Sequence, residues 1–484
     1  MKLIIPFILF SFLSCSNVYF NAFKVNTQGT SASSSGADSG TGTGTDTDTG
    51  DTGSDPGTII NPTLKTLTPS IGIPVNYVVD ELNKKIYFST SLKNNFYDLW
   101  VTDGTLEGSF KLKSFENSPQ WLCVSNGILF FTGYDSTNGF ELWKSEGTPE
   151  STVLVKNINP SSHSSPQYIT AYSGGVMFTA DVGINEMELW KSDGSFSGTV
   201  RVKGKGAAPH FGAYKLAEYN DIIYFPANTG SYSYDDTNLW RSDGTEAGTY
   251  IVKIINPGGG SYPADFTKFK NELYFSANTT IQGVELWKTN GTSSGTVMVK
   301  DINPVLRVAE DTICDSFPHS FKEFNGNLYF VADEGVNGEE LWRTDGTSSG
   351  TYLVKNINDS DSSYPSSFVS SSSKLFFYAK DGINGPELWS SSGTVESTNL
   401  IKNINLVDHI TYPQPVIVGS YCYFTADTGN GLELYRTDGT LENTNIISDL
   451  NGGATINPTL LISVFGKLFF AAETGSGSYL FLLD

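Results

Sequence analysis

One motif returns along almost the whole chain, and it restricts the possible folds more than any other feature. Leu-Trp pairs occur at Leu99-Trp100, Leu142-Trp143, Leu189-Trp190, Leu239-Trp240, Leu286-Trp287, Leu341-Trp342 and Leu388-Trp389. Leu434-Tyr435 and Leu480-Phe481 continue the series. The intervals are 43, 47, 50, 47, 55, 47, 46 and 46 residues, and of the 8 tryptophans only Trp121 lies elsewhere. A period of this length marks stacked supersecondary units.

Residues 318–357 show what one unit is. Pro318 opens an apolar-alternating stretch through Phe324, and Asn325-Gly326 supplies a tight hairpin turn. Leu328–Ala332 reads as a strand buried on both faces, and a polar loop leads to Glu340-Leu341-Trp342-Arg343. Asp345-Gly346 turns the chain again into Tyr352–Ile357. Four short antiparallel strands per repeat make a β-propeller blade, with the Leu-Trp position packing one blade on the next. A proline is expected at the first residue of each first strand: Pro74, Pro119, Pro166, Pro209, Pro263, Pro318, Pro365, Pro413 and Pro458.

Nine three-strand groups are present, and the last ends with the chain at Asp484. Leu64–Pro69 resembles an orphan fourth strand, which would complete the ninth blade and leave no open edge. The expected fold is therefore all-β: a single propeller of nine four-stranded blades over residues 59–484, with eight as the alternative count.

Met1-Lys2 and the apolar run Leu3–Leu13 read as a secretory signal over residues 1–14, too short to span a bilayer. Cys15 follows in a context that resembles a lipobox, with Phe12 and Leu13 departing from the usual residues. Cys15 is the expected lipidation site, making the membrane a partner through an acyl anchor; an ordinary signal peptide with an incidental cysteine is the alternative. Residues 15–58, rich in Ser, Thr, Gly and Asp, are expected to be a flexible tether. The other cysteines, Cys123, Cys314 and Cys422, lack CxxC spacing, and Cys123 and Cys422 read as buried free thiols. A net charge of −21 argues against nucleic acid as partner.

The repeats resemble the bacterial ELWxxDGT repeat family, with ELWKSDG at 188–194, ELWKTNGT at 285–292 and ELWRTDGT at 340–347. The departures are Ser195 for Thr, Glu146 and Ser392 for Asp, and Tyr435 for Trp. The resemblance implies a surface or secreted repeat protein of the bacterial envelope, here expected at the outer membrane, and it brings no catalytic residues. The turn also resembles the Asp-box hairpin of sialidase-like propellers, where Asp and Gly are structural.

Most charged positions belong to the repeat. Lys156, Lys203, Lys253, Lys300, Lys355 and Lys402 follow the fourth strand; Lys144, Lys191, Arg241, Lys288, Arg343 and Arg436 follow the aromatic. Glu141, Glu188, Glu285, Glu340, Glu387 and Glu433 precede Leu-Trp, and exposed cross-strand pairs are the expected explanation, each worth under ~1 kcal/mol. The Asp333–Glu340 loop clusters hard oxygens, but without EF-hand spacing a turn is preferred to calcium, and no cofactor is expected. No GxSxG or HExxH motif occurs, and His163, His210, His319 and His409 are scattered, so no catalytic residue is assigned.

Function is then expected where the repeat is broken, on the face where fourth-to-first and second-to-third loops emerge. Asn303–Ser316 is lengthened, Thr229–Asn238 enlarges one loop, and Lys203–Gly206 replaces the usual Asn-Pro. The candidate ligand face comprises Lys205, His210, Tyr232, Tyr234, Asp235, Arg307, Asp311 and His319. The expected protein is a monomer that binds a protein or glycan there. A structural envelope protein without ligand and a sialidase- or lyase-like enzyme are the alternatives.

Overall fold

The computed structural model describes residues 64–68, 71–92, 96–183, 187–202, 214–228, 236–304, 315–405, 414–427, 431–447, 457–474 and 477–483. Within them lie nine four-stranded antiparallel sheets, each a blade. Blade 6 comprises His319–Phe324, Asn327–Asp333, Glu339–Thr344 and Tyr352–Lys355. Its second strand is buried from Leu328 to Ala332, as expected of a strand covered on both faces. The prolines sit one residue earlier than expected in most blades: Pro119, Pro166, Pro263, Pro318 and Pro365 immediately precede the first strand, where no ladder bond is at stake.

The first strands of neighbouring blades touch all the way round, including that of blade 9 (Pro458–Val464) against that of blade 1 (Ile73–Asp80). First strands are therefore innermost, and the nine blades form a closed nine-bladed β-propeller. The core is divided in the same way, one apolar cluster per blade junction. Between blades 5 and 6, Phe269, Tyr274, Leu286, Val299 and Ile302 meet Leu328, Phe330, Ala332 and Trp342. Leu341 points the other way, toward Phe368, Phe377 and Trp389 of blade 7. Successive strand residues face opposite sides, so Leu-Trp serves two junctions at once.

The ring closes as the repeat count requires. Leu64–Thr66 pairs antiparallel with Gly477–Leu483 as the fourth strand of blade 9, in the register Leu64↔Leu483, Lys65↔Leu482 and Thr66↔Phe481. Leu67 and Ile71 extend the seam by donating to the carbonyls of Leu480 and Ser478, both at 2.9 Å.

The charges that recur from blade to blade do other work than the exposed pairs expected of them. The fourth-strand lysine reaches the next blade: Lys156 donates to the Thr199 carbonyl, Lys253 to Thr296, Lys300 to Thr351 and Lys355 to Thr398, each at 2.7 Å. Lys156, Lys300 and Lys355 also lie over the indoles of Trp190, Trp342 and Trp389. The base after Trp behaves alike, Arg343 donating to the Gly393 carbonyl at 3.2 Å. These residues are staples between blades.

Glu141, Glu188, Glu285, Glu340 and Glu387 are buried rather than exposed, and Glu433 is half-buried. Glu340 accepts from the backbone N–H of Ile357 (2.9 Å), Asn358 (3.3 Å) and Ser363 (3.1 Å) and from Ser363 Oγ (2.6 Å). Glu141 repeats this on Ile158, Asn159 and Ser164, and Glu285 on Ile302, Asn303 and Ser316. Each carboxyl thus ties down the loop that carries the chain to the next blade. Blade 3 does hold an ion pair, Arg201 lying 3.2 Å from Glu188.

Cys123 and Cys422 are buried free thiols, as expected. The expected signal (1–14), tether (15–58) and Cys314 lie outside the described residues.

A candidate binding mouth on the loop face

Antiparallel order puts the first-to-second and third-to-fourth hairpins on one face, the turn face, and the other two loops on the opposite, loop face. Each first strand begins at the loop face, next to the ring axis. Its opening residues follow one pattern. In blades 2, 3, 5, 6 and 7 the pairing with the second strand is interrupted just inside the start, between Gln120 and Cys123, Gln167 and Thr170, Ala264 and Thr267, His319 and Lys322, and Ser366 and Val369. The first interrupting residue is left-handed every time: Trp121 (φ 53°), Tyr168 (54°), Asp265 (60°), Ser320 (57°) and Ser367 (57°). Lys215 (47°) holds the same place in blade 4, where Tyr214 donates to the Pro226 carbonyl at 3.4 Å.

A β-bulge re-aims a side chain, and non-glycine residues adopt positive φ at a cost of roughly 1–2 kcal/mol. Six consecutive blades bear that cost, yet they display Trp, Tyr, Lys, Asp, Ser and Ser. The conformation is architectural; the chemistry it presents is not.

Their contacts place these side chains on the inner wall. Trp121 and Tyr168, from adjacent blades, pack with ring centroids 4.5 Å apart and planes tilted by 51°. Asp265 interacts with Lys215 of blade 4 and His319 of blade 6, and Ser276 Oγ lies 3.4 Å from its Oδ2. Burial pushes the Asp265 carboxyl up, while Lys215 and His319 pull it back. Burial also pushes the Lys322 ammonium down. His319 is buried, its Nδ1 2.9 Å from Ser320 Oγ and its Nε2 3.7 Å from a Glu339 carboxylate oxygen. The mouth thus has an aromatic sector on blades 2 and 3 and a charged sector on blades 4 to 6.

A second arc surrounds it. The residue before the recurrent proline is also left-handed, at Ser165 (44°), Tyr262 (45°), Phe317 (44°), Tyr364 (49°) and Asn457 (42°). In blades 5, 6 and 7 it is an exposed aromatic. The serines before Phe317 and Tyr364, Ser316 and Ser363, are those held by Glu285 and Glu340. The buried carboxyls therefore fix the backbone from which the aromatics project.

Of the residues expected at the ligand face, His319 is at the mouth. Lys205, His210, Tyr232, Tyr234, Asp235, Arg307 and Asp311 lie outside the described residues, as does the lipidation candidate Cys15. Sequence reasoning passed over Trp121 and the aromatic-proline pairs, although each breaks the repeat. The Asp-rich loops use their oxygens internally: Asp381 accepts from Ile383 and Asn384 N–H, and Asp333 from Gly335 N–H. Among the described residues no group of three or more His, Cys, Asp or Glu is arranged to hold a metal ion.

No family model and no curated protein matches the chain. Solved structures it is similar to include the computationally designed Ika8 protein (12% identity, TM-score 0.41, covering 75% of this chain and 95% of that one). BamB from Moraxella catarrhalis is similar at 10% identity and TM-score 0.36, covering 87% and 98%. The dihydro-heme d1 dehydrogenase NirN is similar at 10% and 0.42, covering 67% of this chain and 65% of NirN. No function passes to this chain at such distances.

Proposed function

We propose that the chain is a binding propeller of the bacterial envelope, a member of the ELWxxDGT repeat family, which takes a protein or glycan ligand at the loop-face mouth and performs no catalysis. The observation that carries this reading is the inner ring of Trp121, Tyr168, Lys215, Asp265, Ser320 and Ser367, one backbone conformation showing different side chains. A purely structural ring would have no use for that diversity, since loops on a rigid scaffold are where recognition resides.

Lipidation at Cys15 fits this arrangement. Leu64 pairs with Leu483 at the turn-face end of blade 9, so a segment leading from Cys15 joins the ring on the face opposite the mouth. A membrane-tethered monomer would then present its mouth outward. Two measurements test the reading. Cys15→Ser should move the protein from the detergent to the aqueous phase. On a panel of matrix proteins and glycans, the propeller should bind a ligand that Trp121→Ala with Asp265→Ala no longer holds. A wild-type protein without acyl mass sinks the anchor, and a panel without a mouth-dependent ligand favours a structural role.

A further inference from the structure

Blades 5 to 7 carry an exposed apolar surface. On the loop face, Tyr262, Phe317 and Tyr364 form the arc around the mouth, one per blade, with Phe317 51% and Tyr364 53% exposed. Ile281, Val336 and Ile383 stand on the second-to-third loops of the same blades, Val336 84% and Ile383 90% exposed. Exposed large hydrophobics also occur on the turn face, including Leu82 and Leu106 of blade 1, Phe196 of blade 3, Val395 of blade 7 and Leu441 of blade 8. Among the described residues, only on the loop face do three adjacent blades each contribute an aromatic and an aliphatic residue. Gatherings of this kind on a soluble surface mark interaction sites.

The display is built rather than incidental. Ser316 and Ser363 have no exposure, and their hydroxyls donate to Glu285 (2.7 Å) and Glu340 (2.6 Å). Phe317 and Tyr364 follow them directly with left-handed backbones. Rigid aromatic anchors lose little conformational freedom on binding, and so resemble the hot spots of protein interfaces.

Among the described residues around the arc the charge is negative. Asp333, Glu339, Asp359, Asp361 and Asp381 lie on the loop-face segments of blades 6 and 7, against Lys380. This rim disfavours polyanionic glycans, anionic membranes and a second, equally acidic copy of the chain. The branched aliphatic tips argue against a sugar, because stacking on a pyranose needs a flat ring, whereas apolar side chains of a polypeptide pack on Val336 and Ile383 as well as on Phe317.

We infer that the loop face of blades 5 to 7 docks a polypeptide partner whose apolar side chains sit on the aromatic and aliphatic arcs while its lysines and arginines meet the acidic rim. The inference rests on the proposed binding role of this face and names the class of its ligand.

Fluorescence anisotropy with the full chain tests it. The probes are a short peptide alternating aliphatic residues with Lys and Arg, the same peptide with Glu at the basic positions, and a neutral glucose hexasaccharide. The basic peptide should bind and weaken as salt is raised. F317S/Y364S and V336S/I383S should each lower its affinity about tenfold or more. The turn-face variant L106S/V395S should bind like wild type, and all variants should melt like wild type, since only exposed side chains change. Equal binding of the acidic peptide, or basic-peptide binding untouched by F317S/Y364S, overturns the inference. Binding of the hexasaccharide alone, lost in the same variants, overturns the polypeptide class but leaves a binding face. If no probe engages this surface, both the inference and the recognition role of this sector fall.

Discussion

The hairpin between third and fourth strands and the mouth of the first strand are each built once per blade, but they treat substitution in opposite ways. In the hairpin of blade 6, Asp345 Oδ1 accepts from Thr347 N–H (2.8 Å) and Oγ1 (2.7 Å), Thr347 Oγ1 accepts from Gly350 N–H (3.0 Å), and Thr344 and Thr351 share a buried hydroxyl contact (2.7 Å). Where the aspartate is replaced, the turn repairs itself. Glu146 and Ser392 are accompanied by Ser151 and Ser397 where other copies have Gly350, and those serines accept the turn's N–H groups instead. Glycine faces the turn's acid or amide in five copies, where a Cβ would crowd it (2.1 Å from Asp345 Oδ1 at Gly350). In blade 8 Asn443 takes that place, and its Nδ2 donates to Asp438 Oδ2 at 2.7 Å. At the mouth, by contrast, the left-handed backbone persists through Trp, Tyr, Lys, Asp and Ser. A region whose exceptions are compensated is scaffold. A region that varies freely on a fixed, strained backbone is where selection for something other than stability acts.

The contrast predicts a descending order of stability effects. The largest belongs to closure. Deleting residues 59–70 leaves blade 9 with three strands and strips the partner from Leu480–Leu483, so the whole ring should melt at a much lower temperature and scatter light. Deleting 25–58 should leave the midpoint unchanged. Equal midpoints for the two truncations would show that the seam does not hold the ring.

Next come the buried carboxyls. Glu340→Ala leaves the buried N–H groups of Ile357 and Asn358 without their acceptor and Ser363 with only the Glu339 carbonyl. Each lost acceptor costs about 1–3 kcal/mol, so a drop of about 2 kcal/mol or more is expected in a denaturant titration. These residues also set a pH dependence. Burial outweighs the donors and lifts Glu285 to about 8 and Glu340 and Glu387 to about 7, from an ordinary 4.5. Between the unfolded and folded values the native state holds protons that the unfolded chain lacks. The stabilisation is therefore complete below the unfolded value and is lost as pH rises through 7 and 8. Melting temperature should fall across this window, and Glu285→Gln should flatten the slope. A rising melting temperature would mean that the carboxyls are ionised in the fold.

The turn itself gives a smaller and more diagnostic effect. Asp345→Ser should destabilise by about 1 kcal/mol, the usual size of a lost local hydrogen bond. Gly350→Ser alone should destabilise through the clash with Asp345. Together they recreate the arrangement of Ser392 and Ser397, and the double variant should be more stable than the sum of the two losses. Simple additivity would break the claim that these turns compensate.

Much of this architecture was legible in the sequence, because repeats state the same requirement nine times. The Leu-Trp spacing fixed the blade count, and the orphan strand at Leu64 announced the seam. The charges were misread because sequence shows neighbours along a strand, not the next blade: Lys156 finds its partner at Thr199, and Glu340 finds Ser363 across a loop. The mouth was legible only in part. His319 was noticed as a residue in an interblade loop, but Trp121, the one tryptophan outside the motif, gave the stronger signal. Left-handed φ at a tryptophan or tyrosine has no marker in sequence comparable to glycine, so the bulge could be seen only in the fold.

The smallest effect on stability falls at the mouth, and it sharpens the comparison most. Tyr364 has a left-handed backbone (φ 49°) and an exposed ring. Asparagine adopts that backbone at lower cost than tyrosine, so Tyr364→Asn should leave stability unchanged or raise it by a few tenths of a kcal/mol. The residues around it stay anchored, since Ser363 remains bound to Glu340. Ser320→Gly removes the same strain at the inner ring, offset by the greater freedom glycine has in the unfolded chain. Chemical denaturation of both variants measures the outcome. A loss of more than about 1 kcal/mol in either would exceed what surface substitutions away from special features cost, and would place the mouth among the scaffold's structural elements. Unchanged stability, together with loss of ligand, is the signature of side chains held in a strained conformation for recognition alone.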